Sequence, residues 1–157
     1  MAAIVLGATP PTSPARAARL GLIGRLVSLA LSAACLAVLV VAARVSPAPA
    51  GHGTHTALGL PVCSWVAVAN VPCPTCGMTT AFAHAVRARP AAAFHAQPAG
   101  AILALATAVT LWGALWAAIT GARLHVLAAR LTRPRMVWFL AGLWAASWLY
   151  KIATWHA

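Results

Sequence analysis

Residues 26–43 read LVSLALSAACLAVLVVAA, eighteen positions without a charge between Arg25 and Arg44. A helix needs about 20 apolar residues to cross the hydrocarbon core of a bilayer. The two arginines can reach the head groups from its ends, so residues 22–43 are expected to form a first membrane span. A signal peptide is the competing reading, with Ala48-Pro49-Ala50 as its cleavage site. The run is longer than the apolar core of about 7–15 residues usual there. A second run, AGAILALATAVTLWGALWAAITGA, follows Pro98 and ends at Arg123. Pro98 suits the first turn of a helix, where its missing N–H costs nothing, and the span is expected over 98–122. A third run, MVWFLAGLWAASWLY, begins at Met136 and is followed by Lys151. Lys151 can snorkel, and Trp138, Tyr150 and Trp155 fit interfacial belts, which places the third span over 136–155.

Composition supports the same class. Of 157 residues, 62% are hydrophobic and mean hydropathy is +0.87. Only 7% are charged, against about 25% in an ordinary soluble domain. All eleven are Lys or Arg, and Asp and Glu are absent. That absence removes two-carboxylate glycoside hydrolysis, a Ser-His-Asp triad and H-E-x-x-H zinc proteolysis. It also removes calcium sites and carboxylate proton relays. The net charge of +11 does not point to nucleic acid, because the basic residues are scattered singly between apolar runs. They flank spans and face anionic head groups, so the expected partner is the lipid bilayer.

Three spans place the N-terminus and the 122–136 loop on one side, with Arg16, Arg19, Arg25, Arg123, Arg130, Arg133 and Arg135. Arg44, Arg87, Arg89 and Lys151 lie on the other. The positive-inside rule then predicts a multi-pass protein of the inner or plasma membrane, its N-terminus cytoplasmic and residues 44–98 facing outward. Residues 1–20, with Pro10, Pro11 and Pro14, read as a disordered tail. Residues 21–157 read as a single membrane domain. Gly113, Ala117 and Gly121, and the pairs Ala141/Ala145 and Gly142/Ala146, are small-residue stripes suited to helix contact. They serve packing within the bundle or a homo-oligomer seam. Trp112/Trp116 and Trp144/Trp148 read as packing or lipid-facing pairs.

The outward segment 57–97 carries the one dense motif. SPAPAGHGTHT (46–56) is a loop by composition, and the apolar stretch after it, with Pro61 and Asn70, is too short to span. It is expected to be re-entrant or interfacial. Then comes Cys73-Pro74-Thr75-Cys76-Gly77. Two thiols at this spacing can close a small disulfide loop or chelate one metal, while Pro74 sets a turn and Gly77 permits close backbone approach. A helix is expected from Met78 to Ala88, its first N–H groups favouring a thiolate. Met78, Phe82, Ala85 and Val86 share one face of it, and Thr80, His84 and Arg87 the opposite one. That pattern describes a short amphipathic helix between spans one and two.

CPTCGMTTAF, the amphipathic segment, Gln97-Pro98 and the following apolar run together resemble a bacterial family of small membrane proteins. That family is a domain of unknown function marked by a C-P-x-C-G-[LM]-T-R signature. The resemblance covers about residues 60 to 120. It implies a role for Cys73, Pro74, Cys76, Gly77, Met78 and Thr79, and supplies no reaction. Thr80 stands where the family usually has Arg, and Arg87, one helical face away, would be the substitute for an anion contact.

Three readings of the motif compete. The blandest is structural: the cysteines lock a tight turn in a non-enzymatic scaffold or accessory subunit whose function resides in a membrane partner. The second is thiol redox chemistry, with Cys73 and Cys76 as the candidates. The third is a metal site resembling a zinc knuckle. Cys73 and Cys76 would then supply two of the four ligands a structural zinc needs, with Cys63 as third and His52 or His55 as fourth. His84 lies too far along the helix from Cys76 to share that ion, and Cys35 sits mid-span as a small apolar residue. His95 reads as a polar tip near the head groups. His125 accompanies the cytoplasmic arginines, and His156 falls in a terminal tail.

Overall fold

The computed structural model describes residues 19–122 and 134–155. The 1–20 tail, apart from its last two residues, lies outside the described residues, as do most of the 122–136 loop with Arg123, Arg130 and Arg133, His125 and His156. The described chain is helical, with a single isolated bridge between Arg19 and Ala122. Three long helices form the frame: α1 (Leu22–Arg44), α5 (Pro98–Thr120) and α6 (Pro134–Ala153). All three are long and apolar enough to cross a membrane. At 1.5 Å per residue, α1 and α5 are each roughly 34 Å long, sufficient for a hydrocarbon core of about 30 Å. Between α1 and α5 lie a 3₁₀ turn (Thr54–Leu58), α2 (Ser64–Ala69), α3 (Met78–Ala85) and α4 (Pro90–Ala96).

Each boundary has a local cause. Gln97 is extended (φ −165°, ψ 117°), as the residue before a proline prefers, so α4 stops there and Pro98 starts α5. The next free N–H, that of Ala99, donates to Ser147 Oγ of α6 at 3.0 Å, so α5 is capped from another helix. Gly121 (φ +75°) ends α5 with its N–H on the Ala117 carbonyl, two residues before the run of apolar residues is exhausted.

α1 and α5 run antiparallel. Ser32 Oγ donates to the Leu111 carbonyl at 3.2 Å, and Leu20 N donates to the Gly121 carbonyl at 2.7 Å. Ser147 against Ala99 sets α6 antiparallel to α5. The interior is built mainly from small side chains: Ala81, Ala93, Ala96 and Ala101 form one cluster, and Ala42 and Ala104 close around Phe82 in another. Alanines let backbones approach closely, which is how helices associate where lipid offers no hydrophobic driving force. The outer faces are apolar instead: Leu22, Ile23 and Val27 on α1, and Trp112 and Trp116 on α5, are exposed. Such a surface fits a bilayer rather than water.

Two arginines close helix ends: Arg25 ties α1 to the end of α5, and Arg87 ties α3 to the end of α1. Arg25 of α1 donates Nε to the Ala118 carbonyl at 2.7 Å and Nη2 to that of Ile119, both in the last turn of α5. Arg87 donates Nη2 to the Ala43 carbonyl at 2.9 Å and Nη1 to those of Ala42 (3.3 Å) and Ala83 (2.7 Å), closing the last turn of α1. Carbonyls at a helix C-terminus lack intrahelical partners and carry the negative end of the macrodipole. A guanidinium fork serves several of them at once, each bond contributing roughly 1.5–3 kcal/mol. Replacing Arg87 by Ala should lower unfolding stability in detergent by about 2–3 kcal/mol, followed by circular dichroism. Arg87→Lys should recover only part, because one ammonium cannot span three carbonyls. Equal stability of all three proteins would contradict the clamp.

Candidate thiol site

The turn 73–77 is held from three sides by residues distant in sequence. Gln97 Nε2 donates to the Pro74 carbonyl at 2.8 Å, and Trp148 Nε1 to the Pro72 carbonyl at 3.0 Å. Gly77 (φ +87°) lies so close to the loop and to α4 that a Cβ would sit 2.7 Å from the Ala96 oxygen and 2.8 Å from the Gly51 oxygen. No residue but glycine fits that position, which explains the last letter of the motif. Within the turn, Cys76 N donates to the Cys73 carbonyl at 2.9 Å and Met78 N to the Thr75 carbonyl at 3.1 Å, leading directly into α3. Pro74 sits between the cysteines, and its carbonyl is the point at which Gln97 fixes the turn.

α3 has the expected apolar face: Met78, Phe82, Ala85 and Val86 pack around Ala42, Leu39 and Ala104. Its other side is covered rather than solvated. Thr80 is fully buried, and its hydroxyl hydrogen-bonds that of Thr54 at 2.7 Å. Thr54 Oγ1 in turn accepts from Ala48 N at 2.9 Å, tying the 46–56 loop to α3. An arginine could not occupy position 80 here without breaking that pair. Arg87 does not stand in for it as an anion contact, because its guanidinium is engaged by the end of α1. The helix expected to run to Ala88 stops at Ala85. Ala88 takes a positive φ of 54°, and α4 begins separately at Pro90.

A half-open cavity of about 720 Å³ lies between α1, the 3₁₀ turn and α3. Cys63, Cys73 and Cys76 all line it, with His55, Met78, Thr79 and Thr80, while Val38, Val41 and Leu58 supply apolar wall. All four cysteines of the chain are free thiols. Cys63 and Cys73 are partly exposed, Cys76 is buried, and Cys35 lies apart within α1. Cys73 Sγ lies 3.3 Å from the Thr75 hydroxyl.

The thiols are electrostatically unequal. Cys63 precedes α2, and the N–H of Val66 holds its thiol below the ordinary range; the Cys73 side chain and the N–H of Trp65 act in the same sense, against burial. Cys76 is pushed up to about 11, first by burial and then by neighbouring Cys73. Cys63 is therefore the better nucleophile, and Cys76 stays protonated at neutral pH.

The remaining sequence candidates separate. His55 reaches the cavity and its Nε2 lies 3.1 Å from the Pro61 carbonyl. His52 stacks on Trp155 instead, ring centroids 4.4 Å apart, with its pKa lowered by burial, by Lys151 and by His55. Among the described residues, no three His or Cys side chains are grouped so as to hold a metal ion. His84 turns away from the thiols into a second recess, where its Nδ1 is buried without a partner. Three residues that position the site escaped the sequence reading of it: Gln97, Trp148 and Lys151. Lys151 is buried near the end of α6, and its Nζ donates to the Gly51 carbonyl at 3.3 Å beside the Trp155 ring. Their partners are 23, 76 and 100 positions away, and no local pattern announces those contacts.

Fold and site together define a multi-helix membrane-type protein with three thiols on one apolar cavity. Residues 63–111 match a family described as a protein of unknown function, DUF2752, a stretch that begins at Cys63 and includes the motif turn, α3, α4 and the first half of α5. No curated protein and no solved structure matches the chain.

Alkylation by iodoacetamide in detergent should follow the thiol order. At about pH 8, Cys63 should be modified before Cys76, and the rate at Cys76 should rise about tenfold per pH unit until close to its raised value. Peptide mass spectrometry reads each site. Faster alkylation of Cys76 than of Cys63 at neutral pH would contradict the site's electrostatics.

Proposed function

We propose that this chain is a multi-pass membrane protein that exchanges disulfides with a partner protein through Cys63 and Cys73. The observation that carries this reading is the gathering of Cys63, Cys73 and Cys76 on one accessible cavity, although Cys63 lies outside the C-x-x-C motif. A purely structural lock has less to recommend it. Gln97, Trp148 and the Gly77 contact already hold the turn with every cysteine a free thiol.

In the proposed exchange, the Cys63 thiolate attacks one sulfur of a partner's disulfide. That S–S bond breaks, one partner sulfur leaves as a thiolate, and a mixed disulfide forms on Cys63. The Cys73 thiolate then attacks Cys63 Sγ and releases the second partner sulfur. Two electrons pass to the partner, which ends as a dithiol after taking up the two protons lost by Cys63 and Cys73. Cys76, held protonated, forms the buried wall behind the pair. The side of the membrane belongs to the same proposal. The excess of Lys and Arg around the N-terminus and the 122–136 loop favours a cytoplasmic placement for those segments. The thiol cavity then faces the outer, oxidising compartment, where disulfides persist.

The resolving step gives the test. In cells expressing Cys73→Ser, a higher-mass species that collapses on reduction should accumulate on non-reducing gels. It should vanish when Cys63→Ser is added and persist when Cys76→Ser is added. No adduct, or an adduct that requires Cys76 and not Cys63, overturns the reading.

A further inference from the structure

A second recess, of about 400 Å³, lies at the C-terminal end of α3 and shares no lining residue with the thiol cavity. Loop residues Pro47–Gly51 form one wall, and the end of α3 with α4 forms the other. Three basic side chains face it: His84, Arg89 and His95. The turn between α3 and α4 brings them together. Ala88 N donates to the Ala85 carbonyl, and Arg89 N to the His84 carbonyl at 3.1 Å, with Ala88 in the left-handed region at φ 54°. A non-glycine residue in that conformation is uncommon. Here it swings Arg89 back beside His84.

No carboxylate side chain can neutralise this recess, because the sequence contains no Asp or Glu. Arg25, Arg87 and Lys151 are engaged by backbone carbonyls. In the recess, by contrast, His84 Nδ1 is buried and unpartnered. A buried polar atom without a partner is costly, and at a concave site it points to a ligand that completes it. Burial, and after it the charges of Arg89 and Arg87, hold His84 below the usual histidine range.

We propose that the recess formed by His84, Arg89 and His95 binds a phosphate-bearing anion, either the head group of an acidic phospholipid or a free phosphate. Arg89 supplies the charged fork, and the two imidazoles supply N–H donors. The recess sits at the end of the bundle where α1 finishes at Arg44 and α5 begins, the level at which head groups meet a span of this length. The site is separate from the thiol cavity and stands whether or not the exchange reaction does.

The test uses the full chain purified in mild detergent, with two probes. The first is phosphatidylglycerol mixed with phosphatidylcholine, and retained lipid is counted by native mass spectrometry. The second is inorganic phosphate, titrated against thermal unfolding. Arg89→Ala and His95→Gln are compared with Arg135→Ala, which removes one positive charge at the opposite end of the bundle. Wild type and Arg135→Ala should bind alike, and Arg89→Ala should bind about tenfold more weakly, the loss of one charge-assisted contact. His95→Gln should be weakened to a lesser degree. Selective retention of phosphatidylglycerol identifies a head-group site, and phosphate binding without lipid identifies a free-anion site. Equal binding by all four proteins in both arms, or no binding of either probe by the wild type, overturns the proposal.

Discussion

Every cation in this chain has to find a partner other than an Asp or Glu carboxylate. The sequence carries eleven Lys and Arg and not one acidic side chain. Arg25 and Arg87 therefore close the exposed carbonyls at the ends of α5 and α1, and Lys151 closes that of Gly51. Helix C-termini are the one source of negative potential that every helical bundle possesses. Using them satisfies two requirements at once: the cation is paired, and the carbonyls that a helix end leaves open are bonded. The outcome is an antiparallel α1/α5 pair fastened by Arg25 at one end, with α3 fastened by Arg87 to the other end of α1 and alanine-rich clusters packed among the helices.

The thiol cavity depends on that frame. Arg87 fixes α3 against the end of α1, and α1 supplies the apolar wall opposite the cysteines. α6 adds the other constraints: Trp148 holds Pro72, Lys151 holds Gly51, and Ser147 caps α5 just beyond Gln97, which holds Pro74. The turn is thus shaped by hydrogen bonds to backbone carbonyls and by one position that only glycine can occupy. Its sulfurs are left available for chemistry, and their unequal surroundings divide the work between an activated Cys63 and a protonated Cys76.

The long helices are legible in sequence because an uncharged apolar run of span length has few alternatives in water or lipid. Their ends shift by a residue or two for local reasons, as where Gly121 caps α5. The apolar face of α3 is legible for the same periodic reason. The division into α3 and α4 is not, because it turns on Ala88 adopting a positive φ, for which alanine gives no signal. The C-x-x-C pair announces itself by spacing alone. The approach of Cys63 to Cys73 does not, since it depends on how the 3₁₀ turn packs against α3. Arg87 illustrates the limit well: helical periodicity places it on a polar face, yet its partner is forty-five positions upstream.

Exchange of disulfides through Cys63 and Cys73 makes one demand that a structural Cys-x-x-Cys lock does not: the oxidised protein must link those two residues. The purified chain, equilibrated with oxidised glutathione and digested, can be mapped by mass spectrometry for its linkage. A Cys63–Cys73 disulfide with Cys76 free is the result predicted. A Cys73–Cys76 disulfide with Cys63 free would contradict it and return the motif to a structural role.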